Sequence, residues 1–379
     1  MTSLSPDKRE DGTARERIHS AGPWITDKEI AYATEAIKNG WYDDYRLWIT
    51  RFEEAFAEHL GIGYALATSS GTGALHLALA ICDIGPGDEV IVPDTSWVAT
   101  ANVVAYLGAT PVFVDVRLDD WNIDPAAVEA AITPQTKAIF PVHLYGLPCE
   151  MDALQDIADA HDLLIIEDAC PAVGCSFSDR PMGTFGKTSG FSFQGAKMMA
   201  TGQGGMLVTD DEACYRRAVS LIEHGRDPEQ GMFYSAEIGY QYKMPNVVAA
   251  MGLAQLERVD ELVARKRQLY AWYAERLTGI DGMVMQSEGA KCFSNLSYPS
   301  VRIDPARCAR NAVADHLSAS RIDTRPAFPR MSMFPAFADA DTPNAALIES
   351  TGLNLPTAAY LTEADVDFIC NKIEEAVGA

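Results

Sequence analysis

The chain has 379 residues, 48% of them hydrophobic and 22% charged, which excludes wholesale disorder and leaves room for a large α/β domain with a smaller one beside it. A formal net charge of −23 argues against nucleic acid and anionic membrane surfaces as partners, although local cations and backbone N–H groups still allow a phosphorylated ligand. Eight cysteines form no CxxC pair, the N-terminus is polar, and no apolar run reaches about 18 residues, so no metal site, signal peptide or span is expected and the chain reads as a soluble cytoplasmic protein.

Residues 1–20 read as a flexible, charged arm. Thr26 can cap a helix, with Glu29 completing a capping box. Phe52, Ala55, Phe56 and Leu60 share one face of a second helix. Tyr64–Ala67 then predicts a strand, Ser69–Gly73 a turn and Ala74–Ala80 a helix. Small residues between a strand and a helix N-terminus offer free backbone N–H groups at the positive helix end, which suits phosphate. Steric needs alone produce the same turn in many α/β proteins.

Glu89–Pro93 is the next predicted strand, a helix follows from about 98 to 107, and Thr110–Asp115 is a further strand. Trp97 falls at a strand's carboxyl end, where ligands bind in open α/β sheets. It either stacks on a planar cofactor or fills the core. Residues 138–146 form an apolar strand carrying His143, which is more commonly a packing residue than a catalyst. Met151–His161 is a helix, and Leu163–Ile166 leads to Asp168. Phe191–Phe193 and Gly205–Thr209 supply two more strands, so residues 64–210 predict a doubly wound, mainly parallel sheet. A single long helix is expected over Val247–Leu269. After it come a strand over Leu296–Ile303, a helix over 306–318, a short edge strand over 322–325, a loop over a site at 326–344, and a closing helix over 363–377. The division is a large α/β domain over 21–260 and a smaller α+β domain over 261–379.

Gly190-Phe191-Ser192-Phe193-Gln194-Gly195-Ala196-Lys197 carries the chemistry. A lysine among small and apolar neighbours is shielded from water, and the neutral amine is the form that condenses with an aldehyde. Asp168 stands at the end of an apolar strand upstream of it. A buried lysine and a strand-end acid are what pyridoxal phosphate requires: the lysine forms the Schiff base and the carboxylate keeps the pyridine nitrogen protonated. A lone lysine is far more commonly a surface cation; the constellation reverses that reading.

With these residues assembled, the chain resembles the DegT/DnrJ/EryC1/StrS family of aminotransferases from about Trp41 onward. The segments that carry the resemblance include Arg51–Glu54, Ser69–Thr72, Gly85–Pro93, Val142–Gly146, Glu167–Ala169, Phe191–Phe193 with Lys197, Gly204–Gly205 and Gly252–Leu256. The resemblance implies an aspartate-aminotransferase-like fold, with a catalytic pair of Lys197 and Asp168. It implies Trp97 against the cofactor ring and Ser70, Gly71, Thr72 and Ser192 around its phosphate. It also implies a homodimer with shared sites, in which Gln241 of one subunit reaches the other's cofactor. His143, Lys243 and Arg325 are the substrate-contact candidates. The amino donor is expected to be glutamate or glutamine, and the acceptor a nucleotide-linked keto-sugar such as a 4-keto-6-deoxyhexose. Thr324–Pro329 is similar to the matching stretch of perosamine-synthase-like members.

Three departures from the family pattern stand out. Pro171 stands where a side chain near the cofactor's ring hydroxyl is usual, Gln241 and Lys243 replace an Asn and an Arg, and Met198-Met199 follows the lysine. A point-charge Lys does not reproduce a forked Arg. The rival readings are a sugar dehydratase, against which Lys197 counts, an enzyme acting on a cyclitol or other cyclic ketone, and a non-catalytic PLP-binding regulator.

Overall fold

A computed structural model describes residues 16–378. Its main feature is a seven-stranded sheet in the order Tyr64–Thr68, Gly205–Thr209, Thr188–Ser192, Leu164–Asp168, Thr136–Ile139, Glu89–Pro93 and Thr110–Val114. Five of these strands pair in parallel; Gly205–Thr209 runs antiparallel to both of its neighbours. Crossover helices cover both faces, so the central strands are buried on each side and read as continuous apolar runs. One face packs Phe52, Phe56, Phe191 and Phe193 in tilted and edge-on pairs. The other packs Leu75 and Leu79 of the helix Gly71–Ala80 with Val90, Val92, Val103 and Phe140.

A second, four-stranded antiparallel sheet has the order Met283–Met285, Ser300–Ile303, Gly352–Asn354 and Arg325–Pro326. The helices Arg310–Ala319 and Glu363–Gly378 cover it and close a separate core around Val301, Leu317, Leu353 and Ile369. The helix Val259–Leu277 joins the two cores: Val259, Leu262 and Val263 belong to the large one, Leu269, Tyr273 and Leu277 to the small one.

Most elements lie where the residue pattern puts them, including the Thr26–Glu29 capping box. The long helix expected over 247–269 is instead two helices, Asn246–Leu256 and Val259–Leu277. Neither Gly nor Pro marks the break. Arg258 leaves helical geometry at φ −122° while its guanidinium donates to Glu29 and to the Trp24 carbonyl, so a tertiary contact ends the helix. The strand expected over 138–146 stops at Ile139, because Pro141 has no N–H for a ladder and the chain turns through positive φ at Tyr145 and Gly146. Of the arm, residues 1–15 lie outside the described residues. Ile18, read as part of it, is buried in the small core and bridges Ile322. No helix among the described residues is long and apolar enough to cross a membrane.

Candidate active site

Strand ends and one helix start meet at the carboxyl edge of the large sheet. The strand Leu164–Asp168 delivers Asp168, only 4% exposed. Its Oδ2 accepts from Thr100 Oγ1 at 2.8 Å and its Oδ1 from the Cys170 N–H at 3.2 Å. Thr100 lies one turn along from Trp97, whose indole remains 62% exposed. An apolar ring left that open beside a cavity is available to a planar ligand.

At the far end, the strand Tyr64–Thr68 feeds the helix Gly71–Ala80. Ser70 caps it: its backbone is extended and its Oγ accepts from the Gly73 N–H at 3.1 Å. The Gly71 and Thr72 N–H groups, in the first turn, have no intrahelical acceptor and carry the positive end of the helix. A Cβ on Gly71 would come 2.5 Å from Ser192 Cβ, so the absence of a side chain lets the helix start sit against Ser192.

Lys197 follows the strand Thr188–Ser192 on a short loop. Its side chain is half-buried rather than buried as the sequence suggests, because the loop is open on the cavity side. Among the described residues no ion pair holds its ammonium. The preceding carbonyl, of Ala196, accepts from Tyr298 OH at 3.1 Å, so a residue leading into the second sheet pins the lysine's loop. Cys170 lies beside the pair. Burial pushes its thiol well above the ordinary value, with the Asp168 charge adding and Lys197 opposing, so it stays protonated and inert.

Ser70, Thr72, Trp97, Asp168, Lys197 and Arg325 line one cavity of about 650 Å³. Gly71 and Ser192 line it too, as do Tyr145, Tyr298 and Asn354, which the sequence did not single out. Burial pushes the Tyr145 and Tyr298 phenols up, so both remain hydrogen-bonding alcohols. Pro171 lines the wall with no donor and spends its carbonyl on Asn295 Nδ2 at 2.8 Å. Arg325, exposed at the mouth, has no ion-pair partner among the described residues.

Three candidates lie elsewhere. His143 is fully buried behind the strands, its Nε2 donating to Glu167 at 3.0 Å and its Nδ1 accepting from the Cys149 N–H at 3.2 Å. Burial alone would raise Glu167, but the hydrogen bond from His143 and the Gly183 and Gly186 N–H groups outweigh it and hold the carboxyl below its usual range. The pair is a packing device, and His143 is withdrawn as a substrate contact for this reason. Gln241 bridges Glu223, and Lys243 Nζ pairs with Glu223 at 2.7 Å, both outside the chain's own cavity. Their segment nonetheless runs along the outer side of the phosphate turn, where the Ser69 N–H donates to the Tyr242 carbonyl at 2.6 Å.

Residues 23–374 match the model of the DegT/DnrJ/EryC1/StrS aminotransferase family. The chain belongs to this family. It is 40% identical to the GDP-perosamine synthase of Caulobacter vibrioides, over 95% of this chain and 98% of that one. Identity to the GDP-perosamine synthase of Escherichia coli O157:H7 is 37%, over 93% and 96% of the two chains. The crystal structure of the aminotransferase TlmJ from Streptoalloteichus hindustanus superposes with a TM-score of 0.90 at 29% identity, covering 96% of this chain and 99% of that one. The protein is therefore a pyridoxal-phosphate-dependent aminotransferase with the fold of that family. The cavity fits the cofactor: unfilled helix-start N–H groups suit a phosphate, a buried carboxylate suits a pyridinium, an exposed indole suits a flat ring, and a lysine lines the same cavity.

Proposed function

We propose that the enzyme moves an amino group from glutamate or glutamine to a nucleotide-linked keto-sugar, a 4-keto-6-deoxyhexose carried on guanosine diphosphate. The observation that carries this reading is Arg325: an exposed guanidinium, with no ion-pair partner among the described residues, at the mouth of a cavity whose inner end holds the candidate cofactor residues, in a chain of net charge −23. A cation kept free in so acidic a protein suits a diphosphate bridge. The likeness to two GDP-perosamine synthases along almost the whole chain supports the same acceptor.

When bound, the cofactor supplies a carbonyl that takes and returns the amino group, and a ring that accepts the electrons released when a Cα–H bond breaks. Lys197 Nζ would hold that carbonyl and, when freed, would take the Cα proton and return it. Asp168, oriented by Thr100, receives the ring N–H. Ser70, Gly71, Thr72 and Ser192 would hold the phosphate, and Trp97 would cover the ring. Two chains share the sites, with Gln241 and Lys243 reaching the partner's phosphate edge. Their segment supports this by also exposing Phe233 at 91% and Ile238 at 92%, an apolar surface suited to a second copy.

The test is the absorption spectrum of the purified protein with excess glutamate, then with a GDP-linked 4-keto-6-deoxyhexose. The expected result is a visible band that bleaches with the donor and returns with the acceptor. In Lys197→Ala that resting band is expected to be missing, and conversion by the donor falls by at least about a hundredfold, as for loss of a general acid–base group. A band that bleaches but returns only with a non-nucleotide cyclic ketone would overturn the substrate reading. A band that bleaches with neither glutamate nor glutamine would overturn the donor.

A further inference from the structure

The two walls of the cavity mouth come from distant parts of the chain, and one buried carboxylate fastens them together. The strand Glu89–Pro93 ends at Asp94, which is fully buried, and the chain runs on at once into Ser96 and Trp97 on the first wall. The second wall is Arg325–Pro329, in which the Phe328 ring lies 5.9 Å from Trp97 and stacks at 5.4 Å on Tyr145.

Among the described residues, the Asp94 side chain accepts only from beyond that second wall. Its Oδ1 takes the Ser332 N–H at 2.7 Å, and its Oδ2 takes Ser332 Oγ at 2.7 Å and Thr342 Oγ1 at 2.5 Å. Its carbonyl accepts from the Met331 N–H at 3.0 Å, and Thr95 bridges Arg330. A buried carboxylate is costly unless donors surround it. Burial pushes the Asp94 carboxyl up, while the hydroxyls of Thr342 and Ser332 and the charge of Arg330 oppose that rise. Packing alone gives no reason for a charge here. The one thing this carboxylate does that an apolar side chain could not is to hold Ser332 and Thr342, and with them the chain that carries Phe328.

We propose that Asp94 is a positioning residue for the acceptor: through Ser332 and Thr342 it holds the Arg325–Pro329 wall across from Trp97. Among the described residues its side chain hydrogen-bonds to Ser332 and Thr342 and to none of the candidate cofactor residues. Asp168 is held by Thr100, the helix start by Ser70, and the Lys197 loop by Tyr298, so the inner end of the cavity keeps its shape without it. This rests on the reading that a large keto-sugar occupies the mouth.

The experiment compares Asp94→Asn, Ser332→Ala, Thr342→Val and the conservative Thr342→Ser in the full-length holoenzyme. Rates of bleaching by glutamate and of recovery with the GDP-linked keto-sugar are measured, together with hydrogen exchange of the backbone amides within 326–333, which exclude Pro326 and Pro329. Asp94→Asn is expected to raise the acceptor KM by about ten- to a hundredfold, the scale of one or two lost charge-assisted hydrogen bonds, with donor bleaching within about twofold of wild type. Exchange over 326–333 accelerates, and Thr342→Ser restores what Thr342→Val loses. If Asp94→Asn does not fold, the two hydroxyl variants carry the test with the same signs. Equal losses in both half-reactions, or wild-type exchange and KM in all variants, overturn the proposal. If wild type itself ignores the keto-sugar, the substrate reading fails, and exchange over 326–333 alone decides whether Asp94 holds the wall.

Discussion

His143 and Lys197 are both ionisable residues beside a strand end, yet only one faces the cavity. His143 gives its Nε2 proton to a carboxylate that also accepts from the Phe185 N–H at 2.7 Å and Ser189 Oγ at 3.1 Å. Replacing His143 with Phe leaves that buried carboxylate short of a donor and the Cys149 N–H without an acceptor. Urea unfolding is expected to show a loss of about 2–4 kcal/mol, with the acceptor KM of the folded fraction unchanged. A raised KM at wild-type stability would return His143 to the substrate. The candidate residues that line the cavity, Lys197, Asp168, Trp97 and Ser70–Thr72, were legible because each sits at a junction between a strand and a turn, where side chains reach a ligand. Their partners were not. Thr100 meets Asp168 across 68 residues and Tyr298 meets the Ala196 carbonyl across 102, and no local pattern encodes such pairings.

At the level of elements, the glycines around the lysine have a packing role that the sequence did not disclose. A Cβ on Gly190 would stand 2.6 Å from Leu75 Cδ2 and 3.1 Å from the Leu75 nitrogen, and one on Gly205 would stand 2.5 Å from the Ser70 carbonyl oxygen. These bare strand positions let the helix Gly71–Ala80 lie close on the sheet, which brings its N-terminal N–H groups to Ser192. Gly190→Ala pushes against a backbone nitrogen as well as a side chain, so relief by a rotamer change is incomplete. Its expected cost is about 1–3 kcal/mol of overpacking, together with faster loss of pyridoxal phosphate on dialysis as the phosphate end moves away from Ser192. Unchanged cofactor retention in a destabilised variant would mean that the helix start does not follow Leu75. Element boundaries were readable where a cap or a proline fixes them, as at Thr26 and Glu89–Pro93. The split at Glu257–Arg258 was not, since a contact with Glu29 produces it.

Across the whole molecule, the helix Val259–Leu277 carries a buried cation through the region where the two cores meet. Lys266 has 7% exposure, no carboxylate partner among the described residues, and an Nζ that donates to the Thr357 carbonyl at 2.5 Å and Thr357 Oγ1 at 3.1 Å. Burial, with the neighbouring Arg265 charge adding to it, lowers its ammonium from 10.5 to about 7. Between those two values the unfolded chain holds a proton that the folded chain has released, so stability rises with pH through the window. Below about 7 both states are protonated and the fold bears the full cost of a buried charge. Lys266→Met removes the charge at every pH and loses the same hydrogen bonds to Thr357 at every pH. The variant is therefore expected to gain on wild type as pH falls, by on the order of 3 kcal/mol between pH 10 and pH 6. Urea midpoints of both proteins at pH 6, 8 and 10 measure this directly, because every other titrating group is shared and cancels in the difference. Curves that stay parallel across that range would mean that water reaches Lys266 and that the junction between the cores is wetter than its packing implies.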